Sequence, residues 1–547
     1  MPTNFKAAFA LPKEVVRAAR PFGTVQLSAG NGATDLCLVP LPSADPQDPL
    51  NWPRWLKMIS LLCMSSYAFV TNFASSSIAS AFPLLATPLG FNRPLGELGY
   101  LISVNVLMIG VANFWWVPLA SIVGRRPIVL FNLALLAGSS AWAASTREYG
   151  SFMAARCFMG IGGAPADTVA PTVLGEIFFV HERGKVMGLY SVMLALGPLA
   201  GGLSGGYLAA SMGIPWINWL NTILAGILFL ACCIFQPETL YERSEEAYTP
   251  ANADSHIPDK DMGQHVHIEL ATELSSPTSP TSPTSPPTPT PMPTCPPMAG
   301  PFSLRRALSI TRPNTRHRSI LSHFAAPWLT LRLPGVWVSM LWHAGLVGAV
   351  VAISTVGPSL VAHPPYLWGH NAGLINVGGM VGVLIGLCMT ALLADRVLDI
   401  QARRPSAGGI IEAEGRLLVA VPGLLLATTG IWTFGFCAAH PSRFGWVGMQ
   451  VGFGMLGFGL AQVPAIGFNY IIEAYGPRAA DCFVAVTGMR SVIGFCWTFF
   501  VAAWLEDAGA DVPFGFFGGI MALFALLVIP LRVWGKRMRI ATEEWVL

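Results

Sequence analysis

Apolar stretches long enough to cross a bilayer recur along most of this chain, and they constrain its fold more than any other feature. A helix needs about 20 apolar residues to span the hydrocarbon core, and every backbone polar group there must be bonded internally. The predicted spans cover, in two sets of six, residues 57–82, 98–123, 127–146, 151–178, 186–210 and 214–236, then 335–360, 370–394, 417–439, 445–473, 480–504 and 513–534. The sequence therefore predicts an all-α membrane protein with twelve transmembrane helices in two six-helix bundles.

The composition supports a protein whose surface faces lipid. Of the 547 residues, 53% are hydrophobic and 11% are charged, whereas soluble domains carry about 25% charged residues. A formal net charge of +3 over this length leaves no basic footprint for nucleic acid. The expected partner is the lipid bilayer, with no nucleic acid, and the chain is expected to be a monomer.

The two sets of spans are separated by a segment of different composition. Residues 237–333 include a Ser/Thr/Pro tract that cannot bury enough apolar surface to fold. Its Ser-Pro and Thr-Pro pairs are candidate sites for kinases, and a flexible tether is the simpler alternative. The predicted domains are an N-terminal tail (1–56), a first bundle (57–236), a disordered linker (237–333), a second bundle (334–534) and a C-terminal tail (535–547).

The charges in the loops predict the orientation, because cytoplasmic loops carry an excess of Lys and Arg. The loops on one side hold Arg125, Arg126, Arg183, Lys185, Arg396, Arg403, Arg404, Arg416 and Arg478. The last loop on the other side holds Glu506, Asp507 and Asp511. Both termini and the linker are therefore expected in the cytosol of a multi-pass plasma-membrane protein.

The fourth predicted span carries two charges at membrane depth. Charge there is costly and is usually kept where it faces a cavity or a partner. Arg156, Gly160, Gly163 and Asp167 follow helical spacing on one face, but the two charges are about 16 Å apart along the axis, so they cannot pair. Since desolvation favours the neutral carboxyl group, Asp167 is a candidate for proton coupling or substrate binding. The alternative is a structural carboxylate.

Two further polar groups lie inside spans of the second bundle. Arg490 sits near the middle of the eleventh span, too deep to reach the interface easily. We expect it to meet an anionic substrate group or a carboxylate, or else to be bonded structurally to backbone carbonyls. His343 in the seventh span is either a site residue or a buried histidine with a satisfied hydrogen bond.

The fifth span is rich in glycine. It follows Glu182 and Arg183 and contains Gly188, Gly197, Gly201, Gly205 and Gly206. Spacing of four residues puts three of these glycines on one ridge, which allows a neighbouring helix to approach closely.

No motif for catalysis or ATP hydrolysis was found in the sequence. There is no GxxxxGK[ST] phosphate loop, no HExxH and no CxxC pair, and the one GxSxG match, residues 202–206, lies inside the predicted fifth span. We therefore expect no enzymatic activity, no cofactor and no metal.

At these residues the chain resembles the major facilitator superfamily, and within it the fungal branch similar to drug:proton antiporters. PLASIVGRRP (118–127) resembles the family's loop motif through Gly124, Arg125 and Arg126, with Ser121 where an acid is usual. The matching loop of the second half is ALLADRVLD (391–399), with Asp395 and Arg396. HERGKVMGLY and the glycines that follow resemble the fifth-span antiporter motif, with Gly201-Gly202 in place of Gly-Pro.

The resemblance implies alternating access around a site between the two bundles. It also implies a secondary transporter with protons and a small molecule as partners, most commonly in proton-coupled efflux of an amphipathic drug, toxin or secondary metabolite. Proton-coupled import of a nutrient or polyamine-like metabolite is one alternative. A non-transporting membrane sensor that signals through the linker is another.

Overall fold

The computed structural model describes residues 5–19, 21, 24–26, 43, 45, 48–87, 90–241, 320–402 and 410–546. Within these residues, 11 helices are long and apolar enough to cross a membrane. Five belong to the first bundle: Arg54–Ser76, Leu95–Val123, Arg125–Ser145, Val180–Ser211 and Ile214–Phe235. Six belong to the second: Pro334–Ala362, Asn376–Ala402, Leu417–Ala439, Gly445–Tyr475, Ala479–Ala508 and Asp511–Leu526.

The fourth span completes the set of twelve, and it is broken. A helix over Tyr149–Gly163 is followed by a 3-10 turn over Ala164–Asp167 and a second helix over Val169–Ile177. With 15 residues, the first helix is only about 22 Å long at 1.5 Å per residue. Pro165 explains the break, because proline lacks an N–H and its ring clashes with the carbonyl four residues earlier. The predicted helical face that ends at Asp167 therefore does not continue past Gly163.

Side chains from neighbouring spans bond the carbonyls at this break. Tyr67 of the first span donates its hydroxyl to the Gly162 carbonyl at 2.6 Å. Tyr190 of the fifth span donates to the Ala166 carbonyl at 2.7 Å. Interrupted membrane helices are tolerated where neighbours satisfy the freed backbone groups in this way. The irregular turn that carries Asp167 is therefore fixed in place.

The main contacts between the two bundles join the second span to the eleventh and the fifth span to the eighth and tenth. The second span packs against the eleventh, where Tyr100 and Phe499 stack with their ring centroids 4.8 Å apart. The fifth span also packs against the 3-10 helix Gly369–Ile375 before the eighth span, where the Tyr207 hydroxyl donates to the Asn371 side-chain oxygen at 2.9 Å.

Both chain ends lie on one side of the membrane, which we call the terminus side; the opposite side is the distal side. The N-terminal helix Phe5–Ala10 packs on the C-terminal helix Val528–Val546, and buried Ala8, Ile540 and Ala541 form the contact. The strand Thr24–Gln26 pairs antiparallel with Ile410–Glu412 in the loop before the ninth span. Both predicted tails thus contain ordered structure, and the N-terminal tail reaches the second bundle.

The predicted linker, residues 237–333, differs from the structure at both ends. Glu238 is buried after the sixth span, and Ile320–Thr330 forms a helix before the seventh. This helix is apolar, and Trp328 stacks on Phe114 of the second span with a centroid distance of 4.9 Å. It therefore folds because a neighbouring surface is available to it. Residues 242–319, including the Ser/Thr/Pro tract, lie outside the described residues.

Candidate substrate and proton site

Two of the predicted site residues form an ion pair between the bundles. A guanidinium nitrogen of Arg490 donates to the Asp167 carboxylate, and both side chains are buried. The two residues are 323 positions apart. Asp167 ends the 3-10 turn in the fourth span, so the break in that span positions its carboxylate toward the eleventh span. This pair is the central site.

The central site has unused hydrogen-bonding capacity. The second Asp167 oxygen (Oδ1) and the Nε and Nη1 atoms of Arg490 have no hydrogen-bond partner among the described residues. Both ring nitrogens of buried His343 are likewise unbonded within the described part of the chain. Buried polar groups are nearly always bonded, so such a cluster requires an explanation. Water or a polar ligand would satisfy it.

Aromatic rings surround this polar cluster. Phe468 of the tenth span contacts His343 edge-on at 5.2 Å, Phe483 at 5.2 Å and Tyr190 at 6.1 Å between ring centroids. Apolar walls with a few convergent polar groups are the usual chemistry of a small-molecule site. The arrangement can accommodate a polar group of a small molecule.

Arg156 is placed apart from this cluster. Its fully buried guanidinium donates to the Leu101 carbonyl at 3.1 Å, to the Ala74 carbonyl at 2.8 Å and to the Ser75 carbonyl. The last two carbonyls belong to the final turn of the first span, which is the negative end of that helix dipole. Arg156 therefore joins three helices of the first bundle through their backbones.

The predicted glycine ridge packs against the first span. Cβ atoms at Gly201 and Gly205 would overlap the carbonyl oxygens of Phe73 and Ser77, and one at Gly197 would lie 2.7 Å from the Phe69 oxygen. A Cβ at Gly206 would lie 3.2 Å from the carbonyl oxygen of His370, just before the eighth span. A Cβ at Gly188 would meet open space. The close approach of the first span therefore requires glycine at three motif positions, Gly197, Gly201 and Gly205, but not at Gly188.

On the terminus side, the GRR loop is held by two carboxylates. Gly124 turns the chain with a φ of +121° between the second and third spans. Glu238 accepts hydrogen bonds from the backbone N–H groups of Arg125 and Arg126, each at 3.0 Å. The Arg125 side chain forms a bidentate ion pair with Glu176 at the end of the fourth span, with Nε to Oε2 at 3.0 Å. Ser121, at the usual acidic position, instead donates within its own helix to the Val117 carbonyl.

The second bundle has a corresponding set of ion pairs. Arg416 at the start of the ninth span pairs with Glu473 near the end of the tenth at 2.8 Å. Glu414 binds Arg539 of the C-terminal helix through two bonds, at 2.7 Å and 2.5 Å. In each bundle, ion pairs on the terminus side therefore hold the loop between its second and third helices against neighbouring helices.

The remaining predicted motif residues have simpler surroundings. Arg183 donates to the Gly175 carbonyl at 2.7 Å and the Phe178 carbonyl at 3.0 Å, so it caps the end of the fourth span. Glu182 is half-buried in the first turn of the fifth span. Asp395 and Arg396 fall within the eighth span, but their side chains lie outside the described residues.

Sequence reasoning missed several of these residues. Glu238 lies in QPETLYE after the sixth span, and its signal was an isolated acid next to an apolar run. Glu176 has the same signal at the end of the fourth span. Tyr67, Tyr190 and Phe468 carry no local signal, because aromatic residues are common on any membrane helix.

Replacement of Glu238 by glutamine should destabilise the first bundle. The neutral amide accepts the two backbone N–H bonds at the start of the third span more weakly than the carboxylate does. Each hydrogen bond to a charged group is worth about 1.5–3 kcal/mol. We expect a clear fall in the unfolding temperature of the purified protein, measured by intrinsic fluorescence. Glu97→Gln is the matched control, because its carboxylate forms an exposed pair with Arg93 that is worth little. Equal melting of the two variants would contradict this role for Glu238.

A membrane protein with two packed bundles and a polar site between them is the architecture of a secondary transporter. The family model described as Major Facilitator Superfamily matches residues 64–497, and the chain belongs to that superfamily of transporters.

Three curated fungal proteins are similar over most of their length. An uncharacterized MFS-type transporter of Schizosaccharomyces pombe is 26% identical over 92% of this chain and 88% of its own. Protein HOL1 of Saccharomyces cerevisiae is 24% identical over 94% of this chain and 92% of its own length. Efflux pump FUBT of Fusarium oxysporum is 26% identical over 91% of this chain and 76% of its own length.

A solved structure shows the same fold. The crystal structure of the human organic anion transporter MFSD10 matches with a TM-score of 0.52 and 15% sequence identity, covering 87% of this chain and 100% of that one. At 15% sequence identity, the match supports the fold and nothing beyond it.

Proposed function

We propose that this chain is a proton-coupled secondary transporter that exports a small amphipathic compound from the cytosol across the plasma membrane. The observation that carries the proposal is the buried Asp167–Arg490 pair between the bundles, in which both partners have polar atoms that bond no described residue. The name of the efflux pump among the relatives and the basic loops of the terminus side support the direction and the cytosolic termini.

The ion pair provides a physical route to proton coupling. Protonation of Asp167 neutralises its carboxylate and removes the charge attraction that holds the fourth span against the eleventh. Neutralising one partner of a buried pair is costly, because the other partner is left as an unpaired charge in the interior, at about 3–5 kcal/mol. The proton therefore biases the equilibrium between closed and open bundle contacts, as alternating access requires.

The direction of coupling depends on which partner the substrate binds. A substrate that donates a hydrogen bond to the Asp167 carboxylate excludes the proton from that site, so proton and substrate occupy it in turn. This gives exchange, and with the proton gradient directed inward it gives export.

Import is the second candidate, and it is favoured by the two Arg490 donors that have no partner in the described part of the chain. Once Asp167 is protonated, Arg490 can bind an acceptor-rich substrate, so proton and substrate are bound together and travel in the same direction. Export and import thus differ in whether bound proton and bound substrate exclude or require each other.

Flux in membrane vesicles from yeast that express the chain tests the proposal. The probes are a fluorescent hydrophobic cation, a neutral hydroxylated fluorophore and radiolabelled spermidine. We expect inside-out vesicles with an acidic interior to accumulate the amphipathic probes, and a protonophore to abolish the accumulation. Uptake into right-side-out vesicles from an acidic medium would instead indicate import. Absence of proton-dependent flux in both preparations would favour a sensor.

A further inference from the structure

A cavity lies on the distal side, away from the central pair. Its volume is about 380 Å³, and it is formed by the distal ends of the seventh, ninth, tenth and eleventh spans with Phe82 of the first bundle. Two lining residues are on the same helices as members of the central polar cluster. Thr355 follows His343 by twelve positions, and Ala502 follows Arg490 by twelve positions. At 1.5 Å per residue this places the cavity roughly 18 Å from the central site along both helices.

The cavity has the size and lining of a site for a small organic molecule. Such sites occupy about 300–1,000 Å³, with mainly apolar walls and a few polar groups. Here Phe82, Leu360, Met449 and Leu505 supply apolar wall, together with Pro364. An amphipathic compound could bury its apolar part there.

Most polar groups of this cavity present acceptors, and the Tyr366 hydroxyl, which has no hydrogen-bond partner among the described residues, can accept as well as donate. The Thr355 hydroxyl donates to the Val351 carbonyl at 2.7 Å and the Ser359 hydroxyl to the Val356 carbonyl at 2.6 Å, so each hydroxyl proton is already used. The Nδ1 atom of His363 lies 2.7 Å from the Ser359 carbonyl and must carry a proton to bond it. In the neutral ring, Nε2 is then an acceptor.

The charge of the lining is negative. Glu506 is the acid in the lining, and no Lys or Arg appears among the lining residues within the described part of the chain. The neighbouring loop carries Arg443, whose guanidinium stacks on the Phe444 ring, 5.9 Å from its centroid. A cavity with a carboxylate at its exposed rim and acceptor oxygens along its wall is complementary to a cation.

We propose that this distal cavity binds amphipathic organic cations, as a release-side site for the transported compound. The release role rests on the proposed export function, whereas the binding itself does not. A cation leaving the central site would pass from the Asp167 carboxylate to the Glu506 carboxylate, and its apolar part would remain shielded from water. The acidic residues of the last distal loop would then favour its departure from the membrane surface over its return to the central site.

Equilibrium binding of a matched pair of probes to the purified full-length protein in nanodiscs tests the site. Tetraphenylphosphonium and tetraphenylborate have nearly the same shape and opposite charge. We expect the phosphonium to bind and the borate to bind at least tenfold more weakly. Glu506→Gln should raise the Kd of the phosphonium roughly fivefold, since an exposed charge pair is worth up to about 1 kcal/mol. Ala502→Phe, which fills the cavity, should remove binding.

Two control variants separate this site from its surroundings. Asp507→Asn removes the same charge from the next residue, which is exposed and does not line the cavity, and should leave the Kd unchanged. Glu97→Gln, at an exposed ion pair outside the cavity lining, should likewise leave the Kd unchanged. Equal effects of Asp507→Asn and Glu506→Gln, or full binding by Ala502→Phe, would each overturn the proposal. Failure of proton-coupled flux with binding intact would count against the export function alone.

Discussion

Asp167→Asn is expected to abolish proton-dependent flux, because asparagine cannot take up or release the proton. The substitution also leaves the Arg490 guanidinium buried without a counter-charge. Removing one partner of a buried ion pair costs about 3–5 kcal/mol, so we expect the unfolding temperature to fall as well. Flux should be measured across a range of external pH in proteoliposomes that contain equal amounts of folded protein.

The double variant Asp167→Asn/Arg490→Gln separates coupling from stability. Replacing both charged partners by amides removes the unpaired charge, so much of the lost stability should return, as a double-mutant cycle would show. Proton-dependent flux should remain absent. Glu97→Gln, at an exposed pair, should change neither quantity. An unchanged pH dependence of flux in Asp167→Asn would remove Asp167 as the coupling group.

Gly205→Ala is expected to have the second large effect, on the packing of the first and fifth spans. An added Cβ would overlap the Ser77 carbonyl oxygen, which belongs to the backbone and cannot move aside as a side chain can. Overpacking of a close contact costs about 1–3 kcal/mol and sometimes more. We expect poor yield of folded protein, a lower unfolding temperature and little flux from the fraction that folds.

Gly188→Ala is the matched control on the same helix. Its Cβ would meet open space, and alanine is favoured over glycine inside a helix by up to about 1 kcal/mol. We expect wild-type flux and equal or slightly higher stability. Equal behaviour of the two alanine variants in thermal unfolding and flux would contradict the packing role of Gly205.

Much of the fold could be predicted from local sequence. The length and hydropathy of a span reflect the thickness of the bilayer, so they appear in any 20-residue window. The fourth span was the difficult case. Pro165 was visible in the sequence, but whether a proline kinks a membrane helix or breaks it depends on partners such as Tyr67 and Tyr190, which are far away in the chain.

The candidate site was predicted only as separate residues. Arg156 and Arg490 look alike in sequence, since each is an arginine within an apolar run. In the structure one bonds backbone carbonyls inside a single bundle, and the other bonds a carboxylate across the two bundles. The same holds for Gly188 and Gly205, of which only the second is in close contact with another helix.

The sequence by itself determined that this protein crosses the membrane twelve times and which charged side chains lie at membrane depth. It could do so because the cost of charge and unbonded backbone in lipid acts on each segment separately. Only the tertiary structure decided that Asp167 pairs with Arg490 and that Glu238 holds the GRR loop. Those partners are joined by helix packing between distant segments, and hydropathy along the chain carries no information about which helices become neighbours.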